Sequence, residues 1–237
     1  MRRLFIVIEY FIVTIVLSLI ALFVSLFDGR GAALHGMSRL WARIHLKTCG
    51  VKIAVSGLDN ISSPPYIIMC NHQSALDIFA LIIALPLQFK WIAKRELFFI
   101  PFLGWAMKRA GYISLDRKHP REAVKAMEDA ARKIRGGVNI IIFPEGTRSK
   151  DGILLPFKKG GFSLALRARV PIVPVGITGS SRLQRKGSFI PKQKGVIYIR
   201  IGKPVETAQG NRSAKTEIMM TVRQAIEGLM TAQEQQD

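Results

Sequence analysis

The run Asn71-His72-Gln73-Ser74-Ala75-Leu76-Asp77 follows directly on the apolar segment Tyr66-Ile67-Ile68-Met69-Cys70. A histidine and a carboxylate so placed can act as a general base. An aspartate bonded to one imidazole nitrogen fixes the tautomer and stabilises the imidazolium, leaving the other nitrogen to take a proton. Residues five apart on a regular helix are rotated by about 500°, well off a shared face. His72 is therefore expected in a strand-to-helix turn, where α/β folds place reactive groups, with Asp77 inside the helix and its carboxylate reaching back to the ring. A capping Asn and a solvent-exposed His would give the same residues. Ser74, two residues from His72, is the candidate for a covalent nucleophile in this run.

A second constellation stands at the end of the apolar run 138–143, in Phe143-Pro144-Glu145-Gly146-Thr147-Arg148-Ser149. Glycine permits close backbone approach, and Thr and Arg supply donors, so the turn suits a phosphate. A plain glycine turn with surface charges is the alternative.

These turns need elements to hold them. Short β-rich runs at 51–55, 66–69, 89–92, 112–115, 138–143, 172–177 and 196–201 read as strands. Longer amphipathic runs at 74–85, 101–110, 120–135, 161–168 and 213–230 read as helices, with Gly and Pro at the joints. The alternation predicts an α/β domain over 50–237, a mixed sheet covered by helices.

Residues 1–49 are of another kind. The stretch 4–27 is apolar over 24 residues with Glu9 as its one ionisable side chain, long enough as a helix to cross about 30 Å of hydrocarbon. A cleaved signal peptide would have a shorter apolar region of about 7–15 residues. Glu9, near the start, is expected to reach the headgroup region. Over 32–49, Leu34, Met37, Leu40, Trp41 and Ile44 recur at helical spacing while Arg39, Arg43 and Lys47 form a basic row. Beside a membrane anchor this amphipathic helix is expected at the lipid interface. Arg2 and Arg3 precede the apolar stretch and Arg30, Arg39, Arg43 and Lys47 follow it. That bias puts the body of the protein on the cytoplasmic side of an inner membrane, with the anchor either spanning or dipping into one leaflet.

Lys and Arg number 35 against 16 Asp and Glu, a formal charge of +19. The partner is therefore anionic. With 49% hydrophobic residues, 8% aromatic residues and no nucleic-acid-binding motif, an anionic lipid surface fits better than nucleic acid. Cys49 and Cys70 fall in no metal-ligand or disulfide spacing.

Taken together, Asn71-His72, Asp77 and the 143–149 turn resemble the signature of the glycerolipid acyltransferases, specifically the bacterial 1-acylglycerol-3-phosphate acyltransferases. Gly111-Tyr112-Ile113-Ser114-Leu115-Asp116-Arg117 is similar to a second family block and Val170-Pro171-Ile172-Val173-Pro174-Val175 to a fourth. Lys94-Arg95-Glu96-Leu97 and Phe157-Lys158-Lys159-Gly160 are similar to common family segments, so the resemblance covers 62–178 in order. Tyr112 and Ser114 stand where the family often has apolar residues, and Gly161 where Ala is common.

The resemblance implies transfer of a fatty acyl group from acyl-CoA or acyl carrier protein to a lysophosphatidic acid hydroxyl, giving phosphatidic acid. It implies direct transfer with His72 as base and Asp77 as its partner, no acyl-enzyme at Ser74, no cofactor and no metal. Arg117 and Arg148 are then the phosphate clamps, with Thr147 and the Gly146 amide adding hydrogen bonds. A carboxylate beside an anionic substrate repels it, so Glu145 is expected to hold an arginine or a glycerol hydroxyl. Arg182, Arg185, Lys186, Lys192 and Lys194 read as a solvated face that can help docking. The rival readings are an acyltransferase for another lyso-lipid acceptor and a catalytically silent lipid-binding relative.

Overall fold

The computed structural model describes residues 2–29, 31–62, 64–116, 119–188, 190–207 and 214–231. Its sheet consists of β1 (Val51–Ser56), β2 (Ile67–Cys70), β3 (Phe89–Lys94), β4 (Ile113–Leu115), β5 (Asn139–Ile142), β6 (Ile172–Thr178) and β7 (Gly195–Ile201). The spatial order is β1-β7-β6-β2-β5-β3-β4. Every neighbouring pair is parallel except β6 and β7, so the sheet is mixed, as the alternation predicted.

The helices are α1 (Arg2–Val24), α2 (Ala32–Cys49), α3 (Leu76–Ala84), α4 (Leu103–Arg109), α5 (Pro120–Arg135), α6 (Lys159–Ala168), α7 (Ser180–Leu183) and α8 (Ala214–Thr231). Ser213, expected to open the last helix, lies outside the described residues. The predicted helix over 74–85 begins two residues later, because the backbone through Ser74 is used by the His72 turn. The one over 101–110 begins at Leu103, because Phe102 adopts a positive φ of 62°. The short helix α7 carries no periodic signal and was not expected.

Every residue of β2 is fully buried, as a central parallel strand covered on both faces requires. Its side chains alternate between two cores. Ile68 and Cys70 join Phe79, Leu81, Val173 and Ile197 on the α2–α3 side. Ile67 and Met69 join Ile140, Phe162, Leu164 and Val222 under α5, α6 and α8. Gly161 sits at the tight point of the second core, where a Cβ would stand 3.2 Å from the Met69 side chain. An alanine methyl there would need the Met69 side chain to shift by a few tenths of an ångström.

Helix α1 is long and apolar enough to cross a membrane, with a mean hydropathy of 2.6 over its most apolar window. Ile6, Thr14, Ser18 and Ala21 are buried along one side, while Phe5, Ile8, Phe11, Ile12 and Ile15 face outward. The inward side is held by polar contacts to α2. Trp41 Nε1 donates to Thr14 Oγ1 at 3.0 Å, Glu9 lies 3.1 Å from His45 Nδ1, and Arg2 donates to the Cys49 carbonyl at 3.0 Å. Glu9 thus turns inward to α2 instead of reaching a headgroup.

The apolar side of α2 is likewise turned into the protein. Ala42, Leu46 and Cys49 are buried, and the Trp41 ring lies 4.6 Å from that of Phe79 on α3. Arg39 bonds the Leu85 and Ile83 carbonyls at 2.9 and 3.3 Å, satisfying groups left open at the end of α3. Packing on the body therefore covers Leu34 and part of Met37, Trp41 and Ile44, while Leu40, Arg43 and Lys47 remain exposed.

Candidate active site

The turn after β2 is pinned before any chemistry is considered. Asn71 is 1% exposed; its side chain donates to the Ile177 carbonyl at 2.8 Å and accepts the Ile177 amide at 2.7 Å, tying the turn to β6. His72 Nδ1 lies 2.9 Å from Asp77 Oδ2, and the same oxygen accepts the Gln73 and Ser74 amides at 2.7 and 2.8 Å. With a carboxylate opposite, Nδ1 carries the proton and Nε2 is left as the acceptor. The two residues stand as the spacing required, His72 in the turn and Asp77 in the first turn of α3. Asp77 is fully buried and the His72 side chain is 14% exposed, so the ring reaches the surface of a cavity while its partner does not. The ring stacks on Phe143 with centroids 3.9 Å apart, and Trp91 backs Phe143 at 5.6 Å.

Ser74 is fully buried; its hydroxyl donates to Gln184 Oε1 at 2.9 Å and accepts the Leu76 amide at 3.2 Å. It is committed to holding the segment after α7 against the turn, not presented as a nucleophile.

Glu145 departs from expectation. It is 2% exposed, with Oε1 accepting the His72 amide at 2.6 Å and Oε2 the Leu155 amide at 2.8 Å. Each oxygen accepts a backbone amide, and no arginine among the described residues is bonded to the carboxylate. It straps the His72 turn to the 149–155 loop. Burial pushes its pKa up, opposed by the two amides. Glu145→Ala leaves two buried N–H groups unpaired, at about 1–3 kcal/mol each. Urea denaturation should show that loss of stability, with activity falling because the turn under His72 loosens.

Gly146 has φ +72°, a left-handed conformation that favours glycine, and its amide donates to the Phe143 carbonyl at 3.0 Å. The amide expected to meet phosphate is thus used inside the turn, and the residue serves by its conformation. Thr147 is exposed and Arg148 half-buried. Among the described residues the Arg148 guanidinium has no hydrogen-bond or ion-pair partner. Arg117, the other expected clamp, lies outside the described residues.

Lys186 was read as part of a solvated face, yet it is half-buried against this turn. Its Nζ donates to Thr147 Oγ1 at 3.1 Å and to the Arg148 carbonyl at 2.6 Å. No local pattern could have shown this, because the contacts span 39 and 38 residues of chain.

His72 and Arg148 share a cavity of about 1380 Å³, above the roughly 300–1,000 Å³ of a small-molecule site. Its body is apolar, walled by α1, α2, α3 and α4 through residues such as Leu17, Ile78, Phe79, Ile82 and Met107. The charged side chains lining it are Lys94, Arg148, Lys158 and Arg167, and no carboxylate does so among the described residues. Elsewhere Asp116, His119 and Glu122 converge as metal ligands might, but Arg95 bonds Asp116 and Glu122 at 2.6 and 3.0 Å and offsets one of their two charges.

The His72–Asp77 pair thus stands at the end of a parallel strand, beside a cationic turn and an apolar cavity. Residues 52–178 match the family model described as Acyltransferase, and the chain belongs to that family. It is 39% identical over 186 residues to the chloroplastic 1-acyl-sn-glycerol-3-phosphate acyltransferase of Brassica napus, covering 77% of this chain and 54% of that protein. It is 37% identical over 179 residues to the 1-acyl-sn-glycerol-3-phosphate acyltransferase of Saccharomyces cerevisiae, covering 73% of this chain and 58% of that protein. The chain thus spans about half the length of the curated relatives it matches. Among solved structures it superposes on the 1-acyl-sn-glycerophosphate acyltransferase of Thermotoga maritima with a TM-score of 0.78 at 26% identity, covering 97% of this chain and 98% of that one.

Proposed function

We propose that this chain transfers a fatty acyl group from the thioester of acyl-CoA or acyl carrier protein to the sn-2 hydroxyl of 1-acylglycerol-3-phosphate, giving phosphatidic acid. The observation that carries this is the His72–Asp77 contact at 2.9 Å, with His72 at the wall of a cavity that joins an apolar body to a cationic, carboxylate-free lining. The relatives, named as 1-acyl-sn-glycerol-3-phosphate acyltransferases, support the acceptor.

An alcohol is a weak nucleophile at neutral pH. His72 Nε2 takes the hydroxyl proton as oxygen attacks the thioester carbonyl, and Asp77 stabilises the imidazolium so formed. Collapse of the tetrahedral adduct breaks the carbon–sulfur bond, and the proton passes from His72 to the departing thiolate. Arg148, with Thr147 beside it, binds the acceptor phosphate through its guanidinium fork. The alkyl chains lie in the apolar body. Residues 1–49 anchor the chain, with α1 in a bacterial inner membrane and the sheet on its cytoplasmic side.

Arg148→Ala should raise the acceptor KM by roughly 10- to 100-fold, the loss of about 1.5–3 kcal/mol of charged hydrogen bonding, and leave the donor KM nearly unchanged. Steady-state kinetics with each substrate varied in turn decide the point. Equal rises in both constants would make Arg148 a structural residue.

A further inference from the structure

We propose that the 3₁₀ turn Arg95–Phe99 and helix α4 form a second membrane-inserting element, separate in sequence from α1, that enters an anionic leaflet. The proposal rests on the reading of α1 as a membrane anchor and extends it to the catalytic body. Leu97, Phe99, Ile100 and Trp105 are 39, 67, 42 and 50% exposed. Leu97 also lines the cavity; single exposed apolar residues are ordinary, but Phe99, Ile100 and Trp105 within one turn and the helix after it make a patch.

The turn is built to present them. Phe98 is buried while Phe99 and Ile100 face outward. Gly104 packs so closely that a Cβ there would stand 2.3 Å from the Phe98 carbonyl oxygen. Phe102 holds φ 62°, ψ −59° between them, a conformation that a non-glycine residue keeps only when its surroundings fix it. The apolar side chains are thus displayed on rigid backbone.

What covers the patch follows from its neighbours. Helix α4 packs on α1, whose own outward side chains are apolar, so the two exposed sets belong to adjoining helices. Lys108 and Arg109 end α4 on its exposed side, and Trp105 is a residue suited to the headgroup boundary. On the other flank Lys94 is paired with Glu96 at 3.0 Å and Arg95 with Asp116 and Glu122 at 2.6 and 3.0 Å, so the cations offered to the leaflet are Lys108 and Arg109. An apolar tip backed by cations matches an anionic bilayer, in the manner of interfacial amphipathic helices. The inner side of α4, through Leu103, Ala106 and Met107, lines the cavity. Insertion therefore brings a cavity wall into the leaflet, and a lipid acceptor enters beside α4 without crossing water.

The test uses the full chain, whose native Cys49 and Cys70 are buried, carrying one added cysteine labelled with an environment-sensitive fluorophore. Labels at Phe99→Cys and Ile100→Cys are compared with Ile12→Cys on α1 and Ile153→Cys, an exposed apolar position on another loop. The protein is reconstituted into phosphatidylcholine–phosphatidylglycerol vesicles containing doxyl-labelled phosphatidylcholine. The labels at 99 and 100 should lose most of their emission and shift to the blue, as the one at 12 does, while the one at 153 keeps its emission. Omitting phosphatidylglycerol should reduce the quenching at 99 and 100. If both report water while position 12 is quenched, the α4 proposal is overturned and the anchor stands. Water exposure at all four positions overturns the anchor as well, and undiminished quenching without phosphatidylglycerol overturns the anionic preference.

Discussion

Replacing His72 with alanine should lower kcat for acyl transfer by about 10²- to 10⁴-fold, the usual contribution of a positioned general base. The loss should fall on kcat, because the ring's task is to accept a proton as the new bond forms, and substrate contacts elsewhere are untouched. The variant should also stay folded. Asp77 keeps the Gln73 and Ser74 amides, so its buried carboxylate is not orphaned. What the fold loses is the ring's hydrogen bond to Asp77 and the stack on Phe143, the stack worth about 0.5–1.5 kcal/mol. A thermal melt close to that of the unaltered protein, with turnover gone, is the expected pair of results. Near-normal turnover would remove His72 from the mechanism.

Asp77→Asn should lower kcat by roughly 10³-fold. Three donors, His72 Nδ1 and two backbone amides, converge on Asp77 Oδ2. An amide oxygen can take that place, so the turn and the ring's tautomer survive while the charge does not. A full charge about 4 Å from the developing imidazolium contributes about 4 kcal/mol at an effective dielectric near 20, close to three decades of rate. Asp77→Ala is a different experiment, since it strips the acceptor from two buried amides and should unfold the turn. If the Asn variant kept full activity, Asp77 would be scaffold and not part of the base.

The strands and the His72–Asp77 contact were legible because each depends on residues close in sequence. Ile67 to Cys70 form an unbroken apolar run, and the five-residue spacing leaves the His and Asp one arrangement in which to meet. Where a residue's partner lies far along the chain, residue type misled. Glu145 was expected to hold an arginine or a glycerol hydroxyl, but it is bound to the amide of His72, 73 residues away. Gly146 was given a phosphate contact, though its amide closes its own turn. Lys186 looked like one more solvated cation, and the fold carries it to Thr147 and Arg148. The stripe on α2 shows a related limit. Periodicity reports that a face is covered, not what covers it, and Trp41 meets Phe79 and Thr14 within the protein. The patch around Phe99 is the converse case, an apolar run with no periodicity that the fold leaves outside.

A panel of lyso-lipids with labelled acyl-CoA tests the acceptor assignment most directly. The purified full chain should form labelled phosphatidic acid from 1-acylglycerol-3-phosphate and transfer far less to lysophosphatidylcholine, whose phosphate is esterified to choline. Equal transfer to both acceptors, or transfer only to a lyso-lipid without a terminal phosphate, would contradict it.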